Sequence, residues 1–195
     1  QALAQQYKIN PALPLLVFIG RFATEKGADL LPDIIFRLME KYYGRLSIFI
    51  LGAGDPTIQS RVKSLVDNGT ENFDVFFGYD ENLAHWLYAS ADFLLMPSRV
   101  EPCGLNQLYA MKYGTLPIVH QVGGLKDTVI DLEKDGYGVG FDSLTIPAIT
   151  DAIARANAFY KSKKMFKENQ RKIMNLDFSW DKSAAKYISL YNQII

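Results

Sequence analysis

The sequence lacks most features that would assign it to a specialised class of protein. Its 195 residues include one cysteine and two histidines, so an internal disulfide is excluded and no metal-ligand cluster of recognisable spacing is present. Basic and acidic residues number 21 each, so the net charge indicates neither a nucleic-acid partner nor an anionic membrane. The longest apolar runs, such as residues 13–19, are too short to span a bilayer, and no signal peptide is recognisable. We therefore expect a cytoplasmic protein.

The apolar residues alternate between strand and helix patterns. Continuous apolar runs bounded by glycine or proline are typical of strands buried on both faces of a parallel sheet. Six such runs occur, at residues 15–19, 46–51, 73–77, 92–96, 116–120 and 137–141. Helical spacing fills the intervals, for example from Gly27 to Tyr43 and from Pro56 onward, and three helical segments follow Thr145. This alternation predicts one α/β domain over residues 1–195, with a doubly wound, Rossmann-like sheet of six parallel strands.

The stretch from residue 96 to residue 106, MPSRVEPCGLN, is the clearest indication of chemistry. It follows a buried strand and leads into a helical pattern. The unpaired N–H groups of a helix's first turn favour an anionic group, typically phosphate. Glu101 lies in the loop before that helix, where a carboxylate can accept hydrogen bonds from hydroxyl groups. An acceptor carboxylate beside anion-binding amides fits a sugar diphosphate.

A second loop, after the first strand, carries two cations between flanking glycines. Arg21 and Lys26 are five residues apart at the carboxyl end of the strand, where they can converge on one diphosphate. The alternative is that both are solvated surface cations. We expect both to be exposed, so that removing either leaves the fold intact.

Three further glycine-containing stretches follow strands. Residues 52–56 resemble the opening of a dinucleotide fingerprint, but Thr57 replaces its third glycine, so a tight strand-to-helix turn is the better interpretation. Tyr79 follows Gly78 and could stack on a nucleobase, although a tyrosine in the core or on the surface is commoner. The Gly123-Gly124 pair could form a second wall of the pocket that contains Glu101.

The remaining reactive side chains do not form a catalytic arrangement. His85 lies within a helical pattern and His120 ends a strand, so both are interpreted as structural. Cys103 has no histidine or cation near it in the sequence and is interpreted as a small loop residue.

Taken together, the motifs resemble those of bacterial glycogen synthase and plant starch synthase. The resemblance covers nearly the whole chain. It is carried by Arg21, Lys26 and Gly27, and by residues 52–56, 78–79, 97–109, 112–117, 123–129 and 178–191.

This resemblance implies one half of a GT-B glycosyltransferase, the carboxyl-terminal nucleotide-sugar domain. Such enzymes transfer glucose from ADP-glucose, or in some cases UDP-glucose, to the non-reducing end of an α-1,4-glucan with retention, and no metal or other cofactor is implied. The glucan acceptor would bind through an amino-terminal domain that is absent here, and residues 177–195 would form a terminal helix that packs toward it. The fragment alone is expected to be inactive. A bacterial protein would be cytoplasmic and a plant protein plastidial.

The resemblance also implies roles for individual residues. Arg21 and Lys26 would hold the diphosphate and Glu101 would lie at the glucose, which makes these three the expected catalytic residues. Tyr79 would face the adenine, and the backbone of residues 103–106 would surround sugar and phosphates. The expected substrate-binding residues are Gly54, Asp55, Tyr79, Cys103, Gly104, Leu105 and Asn106.

Two positions depart from the family's pattern, and a third supports the resemblance. Asn106 and Val122 stand where the family usually has threonine, which could alter contacts to phosphate or sugar. The wider superfamily commonly has a second glutamate eight residues after the first. Here that position is Tyr109, as in glycogen and starch synthases, which favours them over other sugar transferases.

Other functions stay open. One is a retaining transferase that uses another sugar nucleotide, and another is a non-catalytic nucleotide-sugar-binding module. A nicotinamide oxidoreductase is disfavoured by Thr57. A Lys-x-Gly-Gly-Leu loop upstream of Gln1 would favour the synthase over the non-catalytic binding module.

Overall fold

The structure is a computed structural model that describes residues 2–42 and 44–194. The ends of the predicted domain, Gln1 and Ile195, and the predicted helix end at Tyr43 lie outside the described residues. The strands are Leu15–Ile19 (β1), Ser47–Gly52 (β2), Phe73–Phe77 (β3), Phe93–Met96 (β4), Leu116–His120 (β5) and Val139–Phe141 (β6). The helices are Ala2–Gln6 (α1), Leu31–Lys41 (α2), Pro56–Asp67 (α3), Glu81–Ser90 (α4), Asn106–Lys112 (α5), Gly123–Thr128 (α6), Ile146–Lys161 (α7), Lys163–Met174 (α8) and Trp180–Ile194 (α9). None of the helices in these two ranges is both long and apolar enough to cross a membrane.

The six strands form one parallel sheet in the order β3-β2-β1-β4-β5-β6. The first three strands extend the sheet in one direction from β1, and the next three extend it in the other. This is the doubly wound, Rossmann-like arrangement that the alternation predicted, and the prediction is confirmed. The order reverses between β1 and β4, so a crevice opens there at the carboxyl ends of the strands.

Apolar side chains cover both faces of the sheet. Successive residues of a strand point to opposite faces, so Leu16 and Phe18 join the core on the face of α2, where they meet Ile34. Val17 joins the core on the opposite face with Leu87 of α4. The central strands are buried on both faces, so their sequences are continuous apolar runs and not alternating ones. β3, at the edge of the sheet, is only partly buried after Phe73 and contains Asp74.

Two elements are shorter than the sequence patterns predict. The helix expected from Gly27 begins with a 3₁₀ turn at Ala28–Leu30, and α2 itself starts at Leu31 with a proline in its first turn. The predicted sixth strand began at Tyr137, but the N–H groups of Tyr137 and Gly138 donate to the carbonyl of Ile130. Tyr137 therefore lies in a bend and Gly138 in an isolated bridge with Asp131, and β6 begins at Val139.

The last helix contributes nothing to either core. No residue of α9 is buried. Its large apolar residues lie at helical spacing and are exposed; Trp180, Tyr187, Ile188 and Tyr191 are each more than half exposed. An amphipathic helix gains most of its stability by burying its apolar face, and α9 buries no such face within the described residues.

Candidate functional site

The candidate site lies where two loops meet at the reversal of strand order. The β1 loop (residues 20–30) follows β1 and contains Arg21 and Lys26. The β4 loop (residues 97–105) follows β4 and contains Glu101. Because β1 and β4 are neighbouring parallel strands, both loops leave the same edge of the sheet. The two motifs singled out from the sequence are thereby brought together.

The two loops are joined by hydrogen bonds that the sequence did not reveal. The guanidinium of Arg99 donates to both carboxylate oxygens of Asp29, at 2.6 and 2.9 Å, and to the carbonyl of Thr24 at 2.6 Å. The backbone N–H of Arg99 donates to the carbonyl of Glu25 at 2.8 Å. A bidentate pair of this kind has a fixed geometry. Arg99 therefore holds the β1 loop in place against the β4 loop.

Lys26 and Glu101 form an ion pair inside the site. The Nζ atom of Lys26 lies 2.8 and 2.7 Å from the two carboxylate oxygens, and the hydroxyl of Ser98 donates to Oε2 at 3.0 Å. The Glu101 side chain is only 8% exposed and that of Lys26 is 27% exposed. The expectation that Lys26 is an exposed cation is therefore wrong, because it compensates a buried carboxylate.

Arg21 has a different environment. Its side chain is 72% exposed and pairs with Glu25 at 2.8 Å, which agrees with the expectation of an exposed cation. Arg21 lines a large cavity, whereas Lys26 lines a smaller one. The two cations thus line different cavities of the crevice.

The large cavity has a volume of about 520 Å³ and an aromatic wall. Tyr79 is 88% exposed at its edge, as a residue that stacks on a planar ligand must be. Tyr88 and Tyr109 lie 6.0 Å apart between ring centres and also line it, together with His85. Burial raises the pKa of Tyr88 well above its ordinary value, so this hydroxyl stays protonated. The cavity suits a flat, largely apolar group.

The smaller cavity, of about 60 Å³, has both polar and apolar lining residues. Lys26, Ser98 and Glu101 line it together with Leu105 and Asn106. Its position next to the large cavity gives the crevice an aromatic part and an ionic part. Asn106 lines both cavities, and its side-chain amide donates to the carbonyl of Ile19 at 2.7 Å.

Gly54 and Asp55 are occupied by structural roles. Gly54 lies against Phe22 in an isolated bridge between the β1 loop and the end of β2. Oδ1 of Asp55 caps α3 by accepting from the N–H groups of Thr57 and Ile58, at 2.7 and 3.2 Å. The interpretation of residues 52–56 as a tight strand-to-helix turn agrees with this geometry. Gly54 and Asp55 are not among the described residues that line either cavity.

Buried residues contact the backbone of Cys103 and Gly104 and hold it in place. The amide of Gln107 donates to both of their carbonyls, at 3.2 and 3.0 Å, and to the hydroxyl of Thr128. Gly124 packs so closely that a Cβ there would lie 2.0 Å from the carbonyl oxygen of Cys103. The glycine pair expected to form a second wall therefore supports the back of the β4 loop.

His120 also supports the β4 loop. Its Nδ1 lies 2.7 Å from the carbonyl oxygen of Ser98, and since a carbonyl only accepts, this nitrogen carries the hydrogen. The ring stacks on Phe141 at 5.6 Å between centres. These contacts agree with the structural interpretation of His120, although its position behind Glu101 could not be read from the sequence.

Residues 1–173 match the family model described as glycosyl transferases group 1. Among curated proteins, the chain is 45% identical over 195 residues to a glycogen synthase of Flavobacterium johnsoniae. It is 40% identical over 202 residues to a glycogen synthase of Thioalkalivibrio sulfidiphilus. Each match covers the whole of this chain but only 41% of the relative, so the chain spans about two-fifths of the length of these relatives.

Solved structures show the same relation. The chain superposes with a TM-score of 0.87 and 32% identity on the catalytic domain of starch synthase IV from Arabidopsis thaliana, bound to ADP and acarbose. The match covers 98% of this chain and 41% of that one. A sucrose-phosphate synthase from Thermosynechococcus elongatus is similar with a TM-score of 0.73 and 26% identity, over 99% of this chain and 48% of the other.

Proposed function

The chain belongs to the glycosyl transferases of group 1, and from this premise we propose that it is the donor-binding domain of a glycogen or starch synthase. The complete protein would transfer glucose from ADP-glucose to the non-reducing end of an α-1,4-glucan, with retention. The observation that carries the proposal is the division of the crevice between an aromatic cavity of about 520 Å³ and an adjoining cavity that contains the Lys26–Glu101 pair.

The two cavities fit the two ends of a nucleotide sugar. The adenosine would occupy the large cavity, with the base against Tyr79. The diphosphate would extend toward the smaller cavity, between Arg21 and Lys26. Glucose would then lie near Glu101, and the backbone of residues 103–106 would surround the sugar and phosphates.

The charges in the site match the charges that develop during the reaction. When the bond between the anomeric carbon and the diphosphate breaks, the phosphate gains negative charge and the sugar ring gains positive charge. Arg21 and Lys26 would stabilise the leaving phosphate, and preorganised charges of this kind often supply the largest part of catalysis. Glu101 is already ionically paired and buried, so it would hold the sugar in place while it accepts hydrogen bonds from hydroxyls.

The exposed helix α9 supports the proposed place of the chain in a larger protein. Its apolar residues lie along one face and include Trp180, which is 85% exposed. We propose that this face packs on the amino-terminal domain, which would also supply the glucan-binding surface. The share of each relative's length that this chain leaves uncovered is large enough for such a domain.

Calorimetric titration of this chain with ADP tests the proposed function. We expect weak ADP binding that persists in excess chelator, because the site supplies its own cations. We expect UDP to bind more weakly than ADP. Arg21→Ala should weaken ADP binding at least about tenfold. Arg37→Ala is a matched control, because Arg37 is also an exposed arginine paired with a nearby glutamate, at 3.3 Å, but lies on α2.

Absence of ADP binding by the unaltered chain would contradict the proposal. So would equal effects of the Arg21 and Arg37 substitutions, since the loss would then reflect net charge. A strict requirement for a divalent metal would contradict the proposed role of Arg21 and Lys26.

A further inference from the structure

The bond between Asn106 and Ile19 joins the two halves of the sheet at the reversal of strand order. Nδ2 of Asn106 lies 2.7 Å from the carbonyl oxygen of Ile19, although the two residues are 87 positions apart in the sequence. The carbonyl only accepts, so the amide nitrogen of Asn106 must face it. Asn106 begins α5 and Ile19 ends β1. The side chain thus ties the helix after β4 to the strand on the other side of the crevice.

The strand ladder leaves this carbonyl without a partner strand. On the β2 side, β1 is paired along its whole length to Ile19, and the N–H of Gly20 then donates to the carbonyl of Leu51 at 3.0 Å. In a trans peptide the C=O points away from the N–H, so the Ile19 carbonyl faces the β4 side. There the ladder reaches only Val17, which pairs with Leu94. Asn106 supplies the hydrogen bond that β4 does not.

The peptide between Ile19 and Gly20 separates the two cavities of the site. Gly20 and Asn106 line both the large cavity and the smaller one. Because Ile19 also lines both cavities, a group that extends from the aromatic cavity to the Lys26–Glu101 pair would lie against this peptide. Arg21 follows it directly, so the orientation of the peptide also determines where the Arg21 side chain begins.

We propose that Asn106 is a positioning residue that acts through the backbone of Ile19 and Gly20. Its amide nitrogen holds this peptide in one orientation, so that the passage between the cavities and the start of the Arg21 side chain are in place before the diphosphate arrives. Such preorganisation strengthens binding because less ordering remains to be done. The inference deepens the proposed function, on which its nucleotide-binding part rests, and it assigns Asn106 a role other than direct contact with the donor.

The test compares Asn106→Leu, which keeps the size of the side chain without its donor, with Asn82→Leu as a control. Asn82 is an exposed asparagine on α4 that lines neither cavity. Amide hydrogen exchange, followed by NMR on the whole chain, reports the backbone directly. We expect exchange at Gly20 to become at least tenfold faster in Asn106→Leu, with no change along β5. ADP affinity should fall about tenfold, and the control should change neither quantity.

Each other outcome overturns the inference. Weaker ADP binding with unchanged exchange at Gly20 would mean that Asn106 contacts the nucleotide directly. Faster exchange with unchanged affinity would remove the link to binding, and equally faster exchange throughout would show a general loss of stability. If Asn106→Leu does not fold, the same two measurements, exchange at Gly20 and ADP affinity, are made on Asn106→Ala and judged in the same way. If the unaltered chain does not bind ADP, the proposed function fails, while exchange at Gly20 still decides whether Asn106 holds the peptide.

Discussion

Gly27 of the β1 loop lies against the backbone of the β4 loop. Its φ is 67°, and an added Cβ would lie 2.0 Å from the carbonyl oxygen of Pro97. Gly44 has nearly the same φ, 65°, but nothing lies within 4 Å of its added Cβ. The pair therefore separates backbone strain, which both share, from a clash that only Gly27 would suffer.

We predict that Gly44→Ala lowers the free energy of unfolding by about 1 kcal/mol, the usual cost of a left-handed conformation. Gly27→Ala should cost about 2 kcal/mol more, because backbone must move to relieve the overlap. Urea denaturation of both variants measures the difference. Equal costs would show that the β1 loop can shift away from Pro97 freely.

The ion pair of Lys26 and Glu101 leads to a prediction about stability. Lys26→Met removes the cation from a carboxylate that is 8% exposed, which should lower the free energy of unfolding by about 2 kcal/mol. The double variant with Glu101→Gln should recover most of that loss, since no buried charge remains. Arg21→Ala should change stability by no more than about 0.5 kcal/mol, because its pair is exposed. Denaturation at neutral pH compares the three, and similar losses for Lys26→Met and Arg21→Ala would refute the asymmetry.

At the scale of elements, Asp131 joins three parts of the far side of the sheet. Its carboxylate accepts from the N–H of Glu133 in a 3₁₀ turn, from the N–H of Gly140 in β6, and from Arg155 of α7. Desolvation alone would raise its pKa, but these hydrogen bonds and the charge of Arg155 outweigh it and lower the pKa below the ordinary 3.8. The ionised form is therefore the one that the fold stabilises.

A lowered pKa in the folded state gives stability that is present above pH 3.8 and is lost as the pH falls through the folded value. We predict that Asp131→Asn lowers the free energy of unfolding by about 1–3 kcal/mol at pH 7, and that its difference from the unaltered chain shrinks below pH 3.8. Denaturation at several pH values tests this. Asp151→Asn is the control, since that carboxylate is 75% exposed and should matter little at any pH. A difference that persists undiminished at low pH would exclude the ionic origin.

At the scale of the whole molecule, we predict that this chain alone does not elongate glucan. Retaining transfer needs the acceptor hydroxyl to be held against the anomeric carbon, and such orientation can supply roughly 7–11 kcal/mol of the barrier. The crevice described here is one wall of the proposed cleft, and the chain covers 41% of its relatives' length. No second domain closes over the sugar within the described residues to exclude water.

The assay is incorporation of labelled glucose from ADP-glucose into glycogen, by the purified chain and by the proposed longer protein that would contain it. We expect incorporation only by the longer protein. A comparable rate for this chain would defeat the two-domain proposal. In the longer protein, Arg21→Ala should reduce turnover by orders of magnitude, and near-normal turnover would remove Arg21 from the site.

Much of the fold was determined by the sequence itself, because it depends on local patterns. Apolar runs separated by helical spacing specify buried parallel strands and the helices between them, and all six strands lie where they were predicted, with small differences at their ends. The motifs around Arg21 and Glu101 were also sufficient to indicate glycogen and starch synthases, a resemblance that the relatives confirm. Strand positions, helix positions and motifs depend only on residues that are close together in the sequence.

The contacts within the site were decided by the tertiary structure alone. Lys26 and Glu101 are 75 positions apart, Asp29 and Arg99 are 70 apart, and Ile19 and Asn106 are 87 apart. The spacing of apolar residues along the sequence does not indicate which residues at such separations will form a pair. They form because the strand order reverses beside β1 and places β4 next to it, so that loops distant in the sequence leave the sheet side by side. For the same reason Lys26, which reads as a surface cation, becomes the partner of a buried carboxylate.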